Sequence, residues 1–180
     1  MRIIGGDLRG KQILPPANYK ARPTTDFAKE GLFNILANQL DFSEISFLDL
    51  FSGTGSISFE FASRGCTMVT AVEMNTLHYN FIKSSVSKLG INGMQVVRHN
   101  AFDFLEICRL QYDIIFADPP YEIAGLEGIP DKILSYPILK DDGMLIFEHP
   151  AAFNFKGNPH FIREKKYGNV HFSFFSKKIV

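Results

Sequence analysis

The sharpest chemical signal in this chain is Asp118-Pro119-Pro120-Tyr121, placed directly after the apolar run at 114–117. The two prolines lack N–H donors and have restricted φ, so the segment is stiff. Its carbonyls and the Asp118 carboxylate face outward as acceptors. An exocyclic amine carries two N–H donors, which two fixed acceptors can orient. Tyr121 adds a π-face on which a planar base can stack. A proline-rich turn with a core tyrosine is the plainer reading, and three further strand-end groups at suitable offsets argue against it.

The first of these is Asp49-Leu50-Phe51-Ser52-Gly53-Thr54-Gly55. Glycines let the backbone approach a ligand and leave the following helix N-terminus accessible. A dinucleotide fold prefers G-x-G-x-x-G, but position 58 is Ser. An acid ahead of the glycines suits a ligand with positive character, such as the amino group or sulfonium of S-adenosyl-L-methionine. The second is Glu73, 18 residues after Gly55, where an acid accepts hydrogen bonds from ribose hydroxyls. That geometry serves NAD and S-adenosyl-L-methionine equally. The third is Asn100-Ala101, where a polar residue can reach an adenine edge or simply occupy a loop.

These groups need a scaffold that gathers strand ends. Short β-like runs at 2–4 and 11–14, around Gly5-Gly6 and Gly10, predict an N-terminal hairpin ended by Pro15-Pro16. A helix is expected over 25–40, with Thr24 or Thr25 as cap and Asp26 in its first turn. Strands are expected at 47–51, 68–72, 95–98, 112–117 and 144–148. Helices alternate with them, ending near Arg64-Gly65 and spanning 76–89, 102–109 and part of 127–136. The tail alternates like a hairpin at 160–166 and 170–178. The expected fold is therefore α/β: a mostly parallel, Rossmann-like sheet with helices on both faces, an antiparallel C-terminal hairpin, and a small N-terminal β-hairpin and helix. Ligands of such sheets bind beyond the carboxyl ends of the strands, where all four groups lie.

Composition narrows the class. At 180 residues, 46% hydrophobic and 21% charged, the chain suits one globular domain over 1–180. Cys66 and Cys108 form neither a disulfide framework nor a zinc pattern, and the five histidines have no ligand spacing, so no metal is expected. No apolar run approaches a membrane span and no secretory signal is visible, which predicts a reduced, cytoplasmic protein. The net charge of zero hides an asymmetry. Residues 1–30 carry six basic against three acidic side chains, and residues 156–180 carry six against one. Basic ends on an acidic body fit a polyanion partner, although solvated surface lysines and arginines give the same arithmetic.

Read together, Met1-Arg2-Ile3-Ile4-Gly5-Gly6, Arg9-Gly10-Lys11, Arg22-Pro23-Thr24-Thr25-Asp26, Lys29-Glu30, Leu32-Phe33-Asn34-Ile35-Leu36, the glycine turn, D-P-P-Y and Leu145-Ile146-Phe147-Glu148-His149 resemble the RsmD-like family of class I methyltransferases. The resemblance runs in order along essentially the whole chain. D-P-P-Y alone is shared with DNA adenine methyltransferases, so the N-terminal segment carries the family. Departures are Gly5 where Ser is frequent, Phe27 where a basic residue is common, and S-G-T-G in place of A-G-S-G.

The resemblance implies a seven-stranded class I sheet and S-adenosyl-L-methionine as cofactor. It implies transfer of methyl to the exocyclic N2 of a guanine in 16S rRNA of the small ribosomal subunit, or of its assembly intermediate. Asp49, Phe51, Ser52, Gly53 and Gly55 would line the methionine end, Glu73 the ribose, and Asn100 and Ala101 the adenine. Arg22 and Thr24 belong to a segment that closes over the cofactor. Asp118 and the Pro119 carbonyl would hold the target amine, with Pro120 stiffening the loop and Tyr121 stacking on the extruded base. Arg2, Arg9, Lys11, Lys165 and Lys166 would contact RNA, the first three from an arm at 1–22, and the protein would act as a monomer. Rival readings are an NAD-dependent oxidoreductase, which Ser58 and D-P-P-Y oppose, a methyltransferase for DNA adenine N6 or protein glutamine, and an RNA-binding module with a dead site.

Overall fold

The computed structural model describes residues 1–15 and 24–178. Seven strands form one sheet: β1 (Ser46–Asp49), β2 (Met68–Val72), β3 (Met94–Val97), β4 (Tyr112–Ala117), β5 (Leu139–His149), β6 (Phe161–Tyr167) and β7 (Val170–Ser176). Their order is β3-β2-β1-β4-β5-β7-β6. The first five are parallel, and β7 and β6 join antiparallel. Helix α1 (Asp26–Ala37) precedes the sheet, and α2 (Ser56–Ser63), α3 (Thr76–Leu89), α4 (Ala101–Ile107) and α5 (Ile129–Leu134) connect its first five strands. The chain order reverses between β1 and β4, so the carboxyl ends of these two neighbours flank the crevice where such sheets take ligands.

Local chemistry places the helix starts as the sequence predicts. Thr25 caps α1 by accepting from the Ala28 N–H at 3.2 Å, and Asn75 caps α3 through Leu77 and His78. The predicted bounds of β2, β4 and α3 agree with the structure. Strands β3, β6 and β7 and helix α4 shift by one or two residues from their expected bounds, and three further elements differ for a local reason. Helix α1 stops at Ala37, because Asn38 turns back to Leu36. Strand β1 ends at Asp49, where the chain leaves for the glycine turn. Strand β5 begins five residues earlier than 144, because Leu139 pairs with Tyr112 before the register shifts and Met144 pairs with Ile114. Lys140-Asp141-Asp142-Gly143 reads as a turn and is accommodated in that irregularity.

Burial follows the strand period of two. Phe47 points to the face covered by α1, α2 and α3, where Phe33, Phe42 and Phe61 meet it; Phe47 and Phe61 stack at 3.6 Å. Leu48 and Leu50 point to the other face, among α4, α5, Phe147 and Phe175.

The N-terminal hairpin is reduced to a single antiparallel bridge, Arg2 to Gln12, but it is packed, not free. Ile3 and Ile13 enter the first core. Gly6 has φ +74° and sits so close to Ser63 that a Cβ would strike its carbonyl. A buried charge cluster clamps the hairpin to two helices. Glu60 of α2 is fully buried and accepts the Ile4 N–H at 2.7 Å, Lys29 Nζ at 3.3 Å and the Arg64 guanidinium. Lys29 of α1, also buried, donates to the Arg2 carbonyl at 2.6 Å. Removing Lys29 would leave Glu60 with Arg64 as its remaining cation and free the Arg2 carbonyl, and hydrogen bonds to charged groups are worth about 1.5–3 kcal/mol each. Lys29→Ala is expected to lower the unfolding free energy by about that amount in urea titration. A loss within about 0.5 kcal/mol, the scale of an ordinary surface substitution, would show that the cluster is not coupled to folding.

Candidate active site

The strand ends converge on three carboxyl groups. Asp49 closes β1, Asp118 follows β4, and Glu148 is the penultimate residue of β5. Asp49 and Glu148 are buried. Burial, then the nearby Glu148 and Asp49 charges, hold the Asp118 carboxyl well above the usual carboxylate range. Burial chiefly raises Asp49 to about 7, with Glu73 adding repulsion and the Ser58 hydroxyl opposing it. Glu148 is raised to about 7 by burial, against hydrogen bonds from Thr24 and Tyr121 and with the Asp49 charge adding to the rise. Like charges in a low-dielectric pocket favour shared protons until a cation arrives.

Asp49 Oδ2 accepts from Ser58 Oγ at 2.7 Å, which explains the serine where a dinucleotide turn would have glycine. Among the described residues, Asp49 Oδ1 and Ser56 Oγ are buried without a hydrogen-bond partner. Between them runs the turn, with Gly53 at φ +52° and Gly55 at φ +75° ahead of α2. Ser52 is buried and turned inward, its hydroxyl on the Asp49 carbonyl at 3.0 Å. Phe51 is partly exposed and packs edge-on against Phe102. Glu73 accepts the Gly53 N–H at 2.8 Å and the Asn75 N–H at 2.7 Å, so it orders the turn as well as bordering it. Asn100 spends its carbonyl oxygen capping α4 through Phe102 and Asp103. One N–H of its amide reaches Met74 Sδ at 3.7 Å, which leaves the other for a purine ring nitrogen. Ala101, the first residue of α4, is buried beneath it.

In the D-P-P-Y segment Pro119 is buried, and Pro120 and Tyr121 are exposed. Glu148, which sequence reasoning left without a role, joins the segments. It accepts Thr24 Oγ1 at 3.1 Å and the Tyr121 hydroxyl at 3.5 Å. The same strand-end logic applied to the fifth strand would have found it. Arg22 lies outside the described residues. Of the cations, Arg2 pairs with Asp26 at 3.1 Å and Lys166 with Glu164 at 3.5 Å, while Arg9, Lys11 and Lys165 are exposed.

The histidines have no ligand spacing in sequence, yet the fold brings donor atoms of His149, Glu164 and His171 within 4.8 Å of one another. These atoms already serve each other: His149 Nε2 meets Ser173 Oγ at 2.8 Å and His171 Nδ1 meets Glu164 at 2.7 Å. The cluster braces β5, β6 and β7 immediately behind Glu148.

Residues 1–176 match the family model described as conserved hypothetical protein 95. The chain belongs to that family. Its relatives include ribosomal RNA small subunit methyltransferase D of Buchnera aphidicola, 31% identical with 97% of this chain and 91% of the relative covered. The protein of the same name from Haemophilus influenzae is 38% identical over 82% of this chain and 78% of its own. The solved structure of yhhF from Escherichia coli, assigned as a methyltransferase, superposes with a TM-score of 0.84 at 29% identity, over 100% of this chain and 99% of that one. The fold is that of the class I methyltransferases, as the sequence resemblance implied. The cofactor of such a family member is S-adenosyl-L-methionine, and the pocket suits it. A buried unpartnered carboxylate oxygen and three mutually repelling acids favour a ligand bearing an ammonium and a sulfonium.

The raised values carry a sign. Each carboxyl ionises later in the fold than in the unfolded chain. The cluster's contribution to stability is therefore complete below about pH 4 and is lost as the pH rises through about 7. Without cofactor, the melting temperature is expected to fall as the pH rises from about 4 to about 7, less steeply in Asp49→Asn. S-adenosyl-L-methionine should stabilise the wild type more at the higher pH. Differential scanning fluorimetry across this range checks it; an equal slope in both proteins would contradict the assignment.

Proposed function

We propose that the protein transfers a methyl group from S-adenosyl-L-methionine to the exocyclic N2 of a guanine in 16S rRNA of the small ribosomal subunit, acting as a cytoplasmic monomer without a metal. The observation that carries the reaction class is the carboxyl cluster that sets Asp118 of D-P-P-Y beside the cation-seeking Asp49. The substrate class rests on the names of relatives matched over most of their length.

In this reading Asp49, Phe51, Ser52, Gly53 and Gly55 hold the methionine end of the cofactor, with Glu73 at the ribose and Asn100 and Ala101 at the adenine. Thr24 and Arg22 close over it. When bound, the cofactor supplies an electrophilic methyl on a cationic sulfur. The chain's residues do the rest. A guanine amine is a poor nucleophile because its lone pair is delocalised into the ring. Asp118 and the Pro119 carbonyl accept its two hydrogens and so aim the lone pair. Pro120 keeps the loop stiff, and Tyr121 stacks on the extruded base. No strong base is needed before attack, because the proton leaves after the N–C bond forms. Positioning of this kind is worth on the order of 7–11 kcal/mol in favourable cases. Asp118 also stabilises the positive charge that develops on nitrogen. It can do so only when ionised, and a bound cation favours that form. Arg2, Arg9, Lys11, Lys165 and Lys166 contact phosphate, with residues 1–22 at the RNA.

Labelled methyl transfer to small subunits lacking the modification, followed by nucleoside mass spectrometry, is expected to give N2-methylguanosine. Label only as N6-methyladenine in DNA, or on protein glutamine, would overturn the substrate. Asp118→Ala should cut kcat by about a hundredfold or more while cofactor Kd changes only a few-fold. Loss of cofactor binding in proportion to activity would remove Asp118 from the amine site.

A further inference from the structure

Helix α1 and the edge strand β6 enclose a groove of about 590 Å³ lined by Phe27, Glu30, Asn34 and Tyr167, among others. The helix and strand meet closely because Gly31 has no side chain; a Cβ there would run into the Tyr167 ring. Phe27 and Tyr167 meet edge to face at 5.8 Å, yet Phe27 remains 67% exposed. An aromatic ring left this open beside a groove is a surface on which a planar base can stack. A second groove, of about 350 Å³, continues along the same helix on its other side. It shares Glu30 and Asn34 with the first and is walled by Arg2, Arg9 and Arg64. Lys165 shares the Tyr167 face of β6, two residues away on the strand. Aromatic surface is thus flanked by cations on both sides.

The position relative to the active site is fixed by Thr24, whose hydroxyl reaches Glu148 at 3.1 Å just before α1 begins. Phe27 therefore lies about one helical turn from the carboxyl cluster.

We infer that this double groove binds the single-stranded RNA next to the methylated nucleotide, with a flanking base stacked on Phe27 beside Tyr167 and phosphates held by Arg2, Arg9 and Lys165. The inference rests on the RNA reading above and adds a stacking subsite to it. A single strand is the fitting occupant because its base faces are open for stacking, whereas a duplex keeps them stacked on one another. Glu30, between the two grooves, repels the phosphate chain and keeps it to the cationic sides.

The test compares wild type, Phe27→Ala, Phe27→Tyr and Glu30→Gln. Fluorescence anisotropy would use an unmodified single-stranded RNA of about twelve nucleotides and the matching duplex, and methyl transfer would use small ribosomal subunits. Phe27→Ala is expected to weaken single-strand binding and raise KM for the subunit about tenfold, leaving kcat and cofactor Kd unchanged. Phe27→Tyr should restore binding, and Glu30→Gln should tighten it a few-fold. Unchanged binding in Phe27→Ala, or equal wild-type affinity for duplex and single strand, would overturn the groove while wild-type methylation of subunits still stands. A wild type that neither binds nor methylates RNA would overturn the reading on which the groove depends.

Discussion

Three carboxyl groups forced together at the ends of three adjacent parallel strands are the constraint on which the site depends. Asp49, Asp118 and Glu148 come from β1, the loop after β4, and β5, which are neighbours in the sheet. Their mutual repulsion is a cost that the apo fold carries. It is tolerated because the surrounding sheet is buried on both faces and cannot relax. Local strain of this electrostatic kind is common where a charged ligand is to be received. It also supplies a reason for the order of events. In the proposed reaction the cofactor's positive charge favours the ionised acids, and an ionised Asp118 is the better acceptor for an amine.

Around that cluster the molecule is built to fix distances. The glycine turn is ordered by Glu73, Ser58 holds one oxygen of Asp49, and Thr24 and Tyr121 converge on Glu148. On the far side of β5 the His149–Ser173 and His171–Glu164 bonds tie the antiparallel strands to the strand carrying Glu148. The Lys29–Glu60 clamp ties the hairpin to α1 and α2, and α1 in turn begins at the site. In the proposed reaction this arrangement supplies positioning, not strong acid or base chemistry.

Much of this was legible in the sequence because the signals are local. Alternating strands and helices gave the parallel sheet, and a threonine cap gave the start of α1. The polar residue ending each strand gave Asp49, Glu73, Asn100 and Asp118. What stayed hidden depends on partners distant in the chain. The sequence does not reveal that Lys29 and Glu60 are buried together, or that Asn100 spends its oxygen on a helix cap. The early start of β5 was masked by Asp141-Asp142-Gly143, a turn signal overridden by pairing with β4. The two basic ends looked separate, and only the packing of Tyr167 on Gly31 sets them along one helix.

The most direct test of the cation-trap account is isothermal calorimetry of S-adenosyl-L-methionine binding at about pH 6.5 in buffers of different ionisation enthalpy. The slope of binding enthalpy against buffer enthalpy counts protons exchanged. Release of about one proton, reduced in Asp49→Asn, is the result expected if the ligand's positive charge ionises the cluster. Binding with no proton release in the wild type would mean that the acids are already charged before the cofactor arrives, and the account of the site would fail.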